Sequence, residues 1–195
     1  MGSRARYCLS IALLLPPVAE AHVAVQTYAL LAGALHPWIN QDSALLLAAV
    51  TLWIAQRARS SEISYWVANA VALSAGVGAG LAVGVAGPAW LSYAATVVVA
   101  VAVSARLLPP AVVWRALLAL AALLAGYYAG VDAAAAVPSV AVFVLGVLAG
   151  GFVFPLSVAV LLANQQVRLV QVGTRVLGSW LAAIGLMLCA LRLAG

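Results

Sequence analysis

The sequence predicts an all-α fold, a polytopic bundle of transmembrane helices that crosses the bilayer about six times. Of the 195 residues, 67% are hydrophobic and only 7% are charged, whereas soluble domains have about 45–50% apolar and about 25% charged residues. The apolar residues form long continuous runs, not the alternating segments of a membrane β-barrel. The lipid bilayer is therefore the first expected partner.

The few charged residues exclude several classes of function. The net charge is +5, but nine basic residues scattered along an apolar chain cannot form the basic stripe of a nucleic-acid-binding protein. Every basic residue is an arginine, which excludes reactions that need a lysine amine. No catalytic triad, pair of inward carboxylates or phosphate-binding loop can be assembled from the polar residues. We therefore expect no nucleic-acid partner and no enzymatic activity.

The first 21 residues have the three parts of a secretory signal peptide. Two arginines precede an apolar run that ends at Leu15, and the small-x-small triplet at residues 19–21 offers a cleavage site. We assign residues 1–21 to a signal peptide and residues 22–195 to a single membrane domain. Cleavage would leave His22 as the mature N-terminus on the exported side. The alternative is an uncleaved membrane anchor.

Seven apolar segments follow the signal, and each predicts a membrane helix. Helix-stopping residues lie between several of them, at Gly87-Pro88, at Pro109-Pro110 and at Pro138. The seven segments are residues 23–35, 44–55, 65–86, 89–107, 112–130, 137–162 and 172–193.

The arginines orient these segments. Basic connections stay on the cytoplasmic side of a membrane. With an exported N-terminus, the first two segments must then make one net crossing, which gives six crossings and places both mature termini outside. Only Arg192 falls on the disfavoured side. The predicted location is a bacterial-type inner membrane. The arginines that mark the three cytoplasmic connections are Arg57 and Arg59, Arg106 and Arg115, and Arg168 and Arg175.

One crossing made by two short segments requires a break inside the membrane. Each segment holds about 13 residues and is roughly 20 Å long, which is short of a hydrocarbon core of about 30 Å. The break falls in the polar stretch from His36 to Ser43. Broken helices at membrane depth commonly line a substrate pathway. The alternative is a loop at the membrane surface, with Trp38 as its interfacial anchor.

Within this stretch, His36 and Asp42 supply an imidazole and a carboxylate. These ligands suit a transported divalent cation such as nickel, copper or zinc. A mature His22 would add its imidazole and free amine, and the chain has no other histidine. The alternatives are a hydrogen-bonding role for His36 at a helix end and N-capping by Asp42. We predict no bound cofactor beyond such an ion. The other polar residues assigned to the pathway are Asn40, Gln41 and Ser43.

Glycines four residues apart predict close contact between helices. Gly76, Gly80 and Gly84 form two overlapping Gly-x-x-x-Gly steps, and Gly126 and Gly130 repeat the spacing. Small residues at this spacing let two membrane helices approach closely. Because six crossings already supply partners, we expect these faces to pack inside the bundle.

His36-Pro37 and Asp42 belong to a longer pattern. Together with residues 45–48 and 53–56, they resemble the first signature of the HupE/UreJ membrane proteins, His-Pro-x-x-Gly-x-Asp-His after a signal peptide. The resemblance implies a six-span fold and a permease for nickel or a related metal. The later segments that resemble helices of this family are residues 94–105 and 175–190.

Several family histidines are missing from this chain. Asn40 and Ser43 replace the glycine and the second histidine of the first signature. The second signature, His-Gly-x-Ala-His-Gly, aligns with residues 125–130, which keep both glycines and lose both histidines.

Two functions therefore stay open. The first is a divergent permease for a metal ion or another small solute, with Tyr127 and Tyr128 along its pathway. The second is a non-transporting accessory or structural subunit of a membrane complex, in which these tyrosines pack where the family has ligands.

Overall fold

A computed structural model describes most of the chain and is helical throughout the described part, without strands. The predicted signal peptide and His22 lie outside the described residues, so their assignments stay predictions. The described residues are 29–57, 63–136, 140–163, 165 and 167–194.

Seven helices make up the described part, one for each predicted apolar segment, which confirms the all-α fold. They are α1 (Ala29–Ile39), α2 (Gln41–Arg57), α3 (Ile63–Val83), α4 (Trp90–Ser104), α5 (Ala111–Ala136), α6 (Val140–Ala163) and α7 (Arg168–Ala194).

Length and composition mark the chain as a multi-pass membrane protein. Within the described residues, α3, α5, α6 and α7 each contain a stretch long and apolar enough to cross a bilayer. α1 and α2 qualify as a fifth span when taken together, with a bend of 73° between them. A sixth crossing would have to be made by the shorter apolar helix α4, so the number of crossings stays a prediction.

Helix α2 lies at the centre of the bundle. It packs against α1, α4, α5, α6 and α7, and its apolar side chains are buried on almost every side. Such all-round burial is expected of a hydrophobic helix enclosed by others. At its C-terminal end, Trp53 donates from Nε1 to the carbonyl of Leu107 at 2.9 Å and meets the Trp114 ring edge-on.

The other helices form three close pairs around α2. In the α3–α5 pair, a methyl group added at Gly80 would overlap the backbone carbonyl of Tyr127, and one at Gly130 would overlap that of Val77. Gly76 and Gly126 are equally close to the opposing backbone. The four predicted positions therefore lie at one contact between helices.

Gly84 has a different role from the one predicted. It lies just beyond the end of α3 with a φ of +65°, and nothing approaches its Cβ position within 4 Å. Its N–H donates to the carbonyl of Gly80 at 2.8 Å. A glycine with positive φ just past the last helical residue ends a helix, so Gly84 terminates α3 and does not extend its packing face.

The pairs α1–α6 and α4–α7 also depend on small residues. Gly33 of α1 lies against the backbone of Phe143, and Gly146 and Gly150 of α6 lie against the backbone of α1. Gly178 and Gly185 bring α7 against α4. These contacts run parallel in α1–α6 and α3–α5, and antiparallel in α4–α7.

The α3–α5 contact can be tested with two neighbouring glycines of α3. Gly80→Val should lower the melting temperature of the detergent-purified protein sharply, because overpacking a close contact costs about 1–3 kcal/mol. Gly78→Val is the matched control, since nothing lies within 4 Å of its Cβ position. Equal melting temperatures for the two variants would contradict the contact.

Candidate functional site

A single residue, Asn40, joins α1 to α2. Its N–H donates to the carbonyl of His36 at 3.0 Å, and its own carbonyl accepts from the N–H of Ala44 at 2.9 Å. Its side-chain Oδ1 accepts from the N–H of Asp42 at 2.9 Å, as an N-cap residue does. Asn40 therefore ends one helix and starts the next, and the break is much shorter than the predicted stretch from His36 to Ser43.

Other groups at the break are satisfied within the protein. The hydroxyl of Ser43, which is buried, donates to the carbonyl of Pro37 at 3.1 Å. Trp38 donates from Nε1 to the carbonyl of Gly150 at 3.0 Å and packs edge-on against the Phe154 ring. Irregular backbone at membrane depth needs such internal partners, and these contacts hold the break against α6.

His36 faces the carboxylate of Asp132, which is not among the predicted site residues. Its Nε2 lies 3.1 Å from Oδ2 of Asp132 on α5, and the side-chain amide of Asn40 donates to the same oxygen. The Phe143 ring packs edge-on against the imidazole, with 5.3 Å between ring centroids. We call His36, Asn40 and Asp132 the hinge cluster.

The hinge cluster is partly open to its surroundings. The side chain of His36 is 20% exposed and that of Asp132 is 39% exposed. A partly exposed carboxylate and imidazole 3.1 Å apart can receive a cation, exchange a proton or hold each other as an ion pair. The arrangement is thus suited to positively charged ligands.

Asp132 lies outside the apolar segment that the sequence predicts for this helix. The predicted segment ends at Gly130, whereas α5 continues through a run of alanines to Ala136. Alanine has the highest helix propensity, which explains the extension. The signal was available, because positions 125, 129 and 132 share one helical face and an ionisable residue in an apolar helix is a functional candidate.

Asp42 lies in a different environment from His36. Its carbonyl accepts a hydrogen bond from the Ser92 hydroxyl of α4. Tyr93, the next residue of α4, interacts electrostatically with Asp42 and with Arg192 near the end of α7. No hydrogen bond or ion pair joins Asp42 to His36, both of which the structure describes. The break therefore has one carboxylate on each of two neighbouring helices.

Tyr127 and Tyr128 hold the connection between α3 and α4. The Tyr127 hydroxyl donates to the carbonyl of Val85 at 2.7 Å, and that of Tyr128 donates to the carbonyl of Pro88 at 2.8 Å. Their rings pack edge-on against each other. Both hydroxyls are thus engaged by the loop. Gln41, the first residue of α2, is exposed.

The ligands available to a metal ion are few. Within the described residues, no group of three or more His, Cys, Asp or Glu side chains comes together. The hinge cluster supplies one imidazole and one carboxylate, and the amide of Asn40 is oriented to donate to Asp132. A cation bound there would keep part of its hydration shell.

Comparison with known proteins identifies the family. The family model described as HupE / UreJ protein matches residues 10–188, which include α1 to α6, most of α7 and the whole hinge cluster. No curated protein matches the chain significantly. The same holds for solved structures. The chain therefore belongs to the HupE/UreJ family of membrane proteins.

Proposed function

We propose that the protein is a divergent permease that passes a divalent metal ion of the nickel type, or another small solute, across the membrane. The observation that carries the proposal is the hinge cluster, where a broken helix and a neighbouring helix bring His36 and Asp132 to 3.1 Å. Membership of a family associated with metal uptake gives the proposal its substrate class.

The chemistry of the hinge cluster suits transient binding. A cation at Asp132 would replace the interaction with His36 and the hydrogen bond from Asn40. The net free energy of binding would therefore be small, and the cation could be released. Transport needs a site that binds strongly enough to admit the ion and weakly enough to let it leave. Two charged or ionisable ligands satisfy that requirement better than a closed cage of four, which would retain the metal.

The orientation proposed for the permease follows from the arginines. Trp53 bonds to Leu107 beside Arg106, and Arg175 donates from Nε to the carbonyl of Ser104 at 3.0 Å. The C-terminal ends of α2 and α4 and the start of α7 therefore lie together at one basic end of the bundle. We assign this end to the cytoplasmic side of a bacterial-type inner membrane, which leaves Asp42 toward the exported side.

Uptake of radioactive nickel by cells that express the protein tests the proposal. His36→Ala and Asp132→Asn should each reduce uptake by at least about tenfold, because each removes one of two cation ligands worth some 1.4 kcal/mol or more. Ser74→Ala is the control, since this exposed hydroxyl bonds only within its own helix. Unchanged uptake in both hinge-cluster variants, at equal amounts in the membrane, would rule out this pathway.

The second candidate is a non-transporting subunit of a membrane complex. Two observations favour it: the hydroxyls of Tyr127 and Tyr128 are used to hold a loop, and the described residues contain no group of three metal ligands. In this case the bundle would serve as a scaffold.

Purification from native membranes in mild detergent distinguishes the two candidates. The permease should elute as a single-protein species, and the subunit should elute with a stoichiometric partner that survives washing. A control purification of the same tagged protein from a host without the native complex shows which copurifying proteins are nonspecific. A stoichiometric partner together with absent nickel uptake would favour the scaffold.

A further inference from the structure

Arg192 lies at the end of the bundle where the charge rule disfavours arginine. The antiparallel contact between α7 and α4 places it there, because Cys189 contacts the carbonyl of Trp90 at 3.7 Å and Gly185 lies against the backbone of Tyr93. Arg175, by contrast, bonds to Ser104 at the far end of α4. A basic residue on the exported side needs a local reason.

That reason is a polar network in the gap between α2, α4 and α7. The Tyr93 side chain is only 1% exposed, and it interacts electrostatically with both Asp42 and Arg192. Trp90, one turn before Tyr93 on α4, contacts Cys189, which lies one turn before Arg192 on α7. A phenol can donate to a carboxylate and accept from a guanidinium at the same time. The hydroxyl of Ser92, the neighbour of Tyr93, donates to the carbonyl of Asp42 and so holds Asp42 against α4.

The charges in this network balance. A carboxylate at the edge of an apolar bundle is costly unless a cation lies close to it. Arginine always carries its charge in proteins. Arg175 lies at the basic end of the bundle, bonded to Ser104, whereas Arg192 and Asp42 both lie beside the first turn of α4. Arg192 is therefore the cation placed to neutralise Asp42.

We infer that Arg192 is a tethered counter-cation for Asp42, connected to it through the Tyr93 hydroxyl, and that an incoming cation competes with Arg192 for the carboxylate. The competition rests on the proposed permease function, whereas the network itself does not. A doubly charged ion displaces a singly charged guanidinium more readily than a singly charged ion does. Arg192 is thereby a specificity-determining residue that favours divalent over monovalent cations at Asp42.

A double-mutant cycle on the melting temperature of the full detergent-purified chain tests the network. Asp42→Asn and Arg192→Gln should each lower the melting temperature by a few degrees. The melting temperature of the double variant should be no lower than that of the less stable single variant. Tyr93→Phe should abolish the coupling. The matched control pairs Asp42→Asn with Arg175→Gln, whose effects should add. Additive effects of Asp42→Asn and Arg192→Gln would overturn the inference.

Equilibrium dialysis with Ni²⁺ tests the competition. Arg192→Gln should bind Ni²⁺ about tenfold more tightly than the wild type, while Arg192→Lys, which keeps the charge, should stay close to the wild type. Equal affinity of wild type and Arg192→Gln, including no binding by either, would overturn the competing role. Coupled melting temperatures with no nickel uptake by the wild type would instead remove the permease and leave the Asp42–Tyr93–Arg192 network intact.

Discussion

A helix that breaks among apolar helices must satisfy its free backbone groups without water, and the rest of this structure depends on how Asn40 meets that constraint. Its N–H donates to the last turn of α1, and its carbonyl accepts from the first turn of α2. Its Oδ1 accepts from the N–H of Asp42, and its side-chain amide donates to Asp132. One residue therefore lies at the 73° bend and also connects the bend to α5 through a hydrogen bond. Because Asp132 accepts from Asn40 and lies against His36, any ligand that binds the carboxylate also acts on the joint between the two helices.

The glycine contacts are what allow this joint to be enclosed. Gly76 and Gly80 lie against the backbone of α5, Gly126 and Gly130 lie against that of α3, and Gly33 lies against that of α6, so each of these helix pairs is in backbone contact. All three helix pairs pack against α2. Small residues let membrane helices approach closely enough for van der Waals packing, which contributes to their association because lipid tails are as apolar as leucine. The same parallel contact between α3 and α5 helps to set the position of Asp132 along the axis of the bundle. Packing and chemistry are thus coupled: a residue that separated α3 from α5 would also displace the carboxylate opposite His36.

Much of the fold follows from composition and spacing alone, whereas the site does not. Seven apolar runs predict seven helices, because long hydrophobic stretches have few alternatives in a bilayer. The partner of His36 could not be assigned, because Asp132 is 96 residues away along the chain and only the packing of α5 against α1 and α2 brings it near. The extension of α5 beyond Gly130 also differs from the prediction. The glycines favour a helix end near residue 130, but the alanines that follow continue the helix to Ala136. The pairing of Asp42 with Tyr93 and Arg192 depends in the same way on the register between α4 and α7.

The proposed permease depends on the hinge cluster receiving a cation through one imidazole and one carboxylate. X-ray absorption at the nickel edge of the Ni²⁺-loaded protein tests it most directly, because multiple scattering from an imidazole ring is separable from that of oxygen ligands. We predict a first shell dominated by oxygen with a single imidazole, and loss of the imidazole signal in His36→Ala. A spectrum without imidazole, or one that His36→Ala and Asp132→Asn both leave unchanged, would contradict the claim.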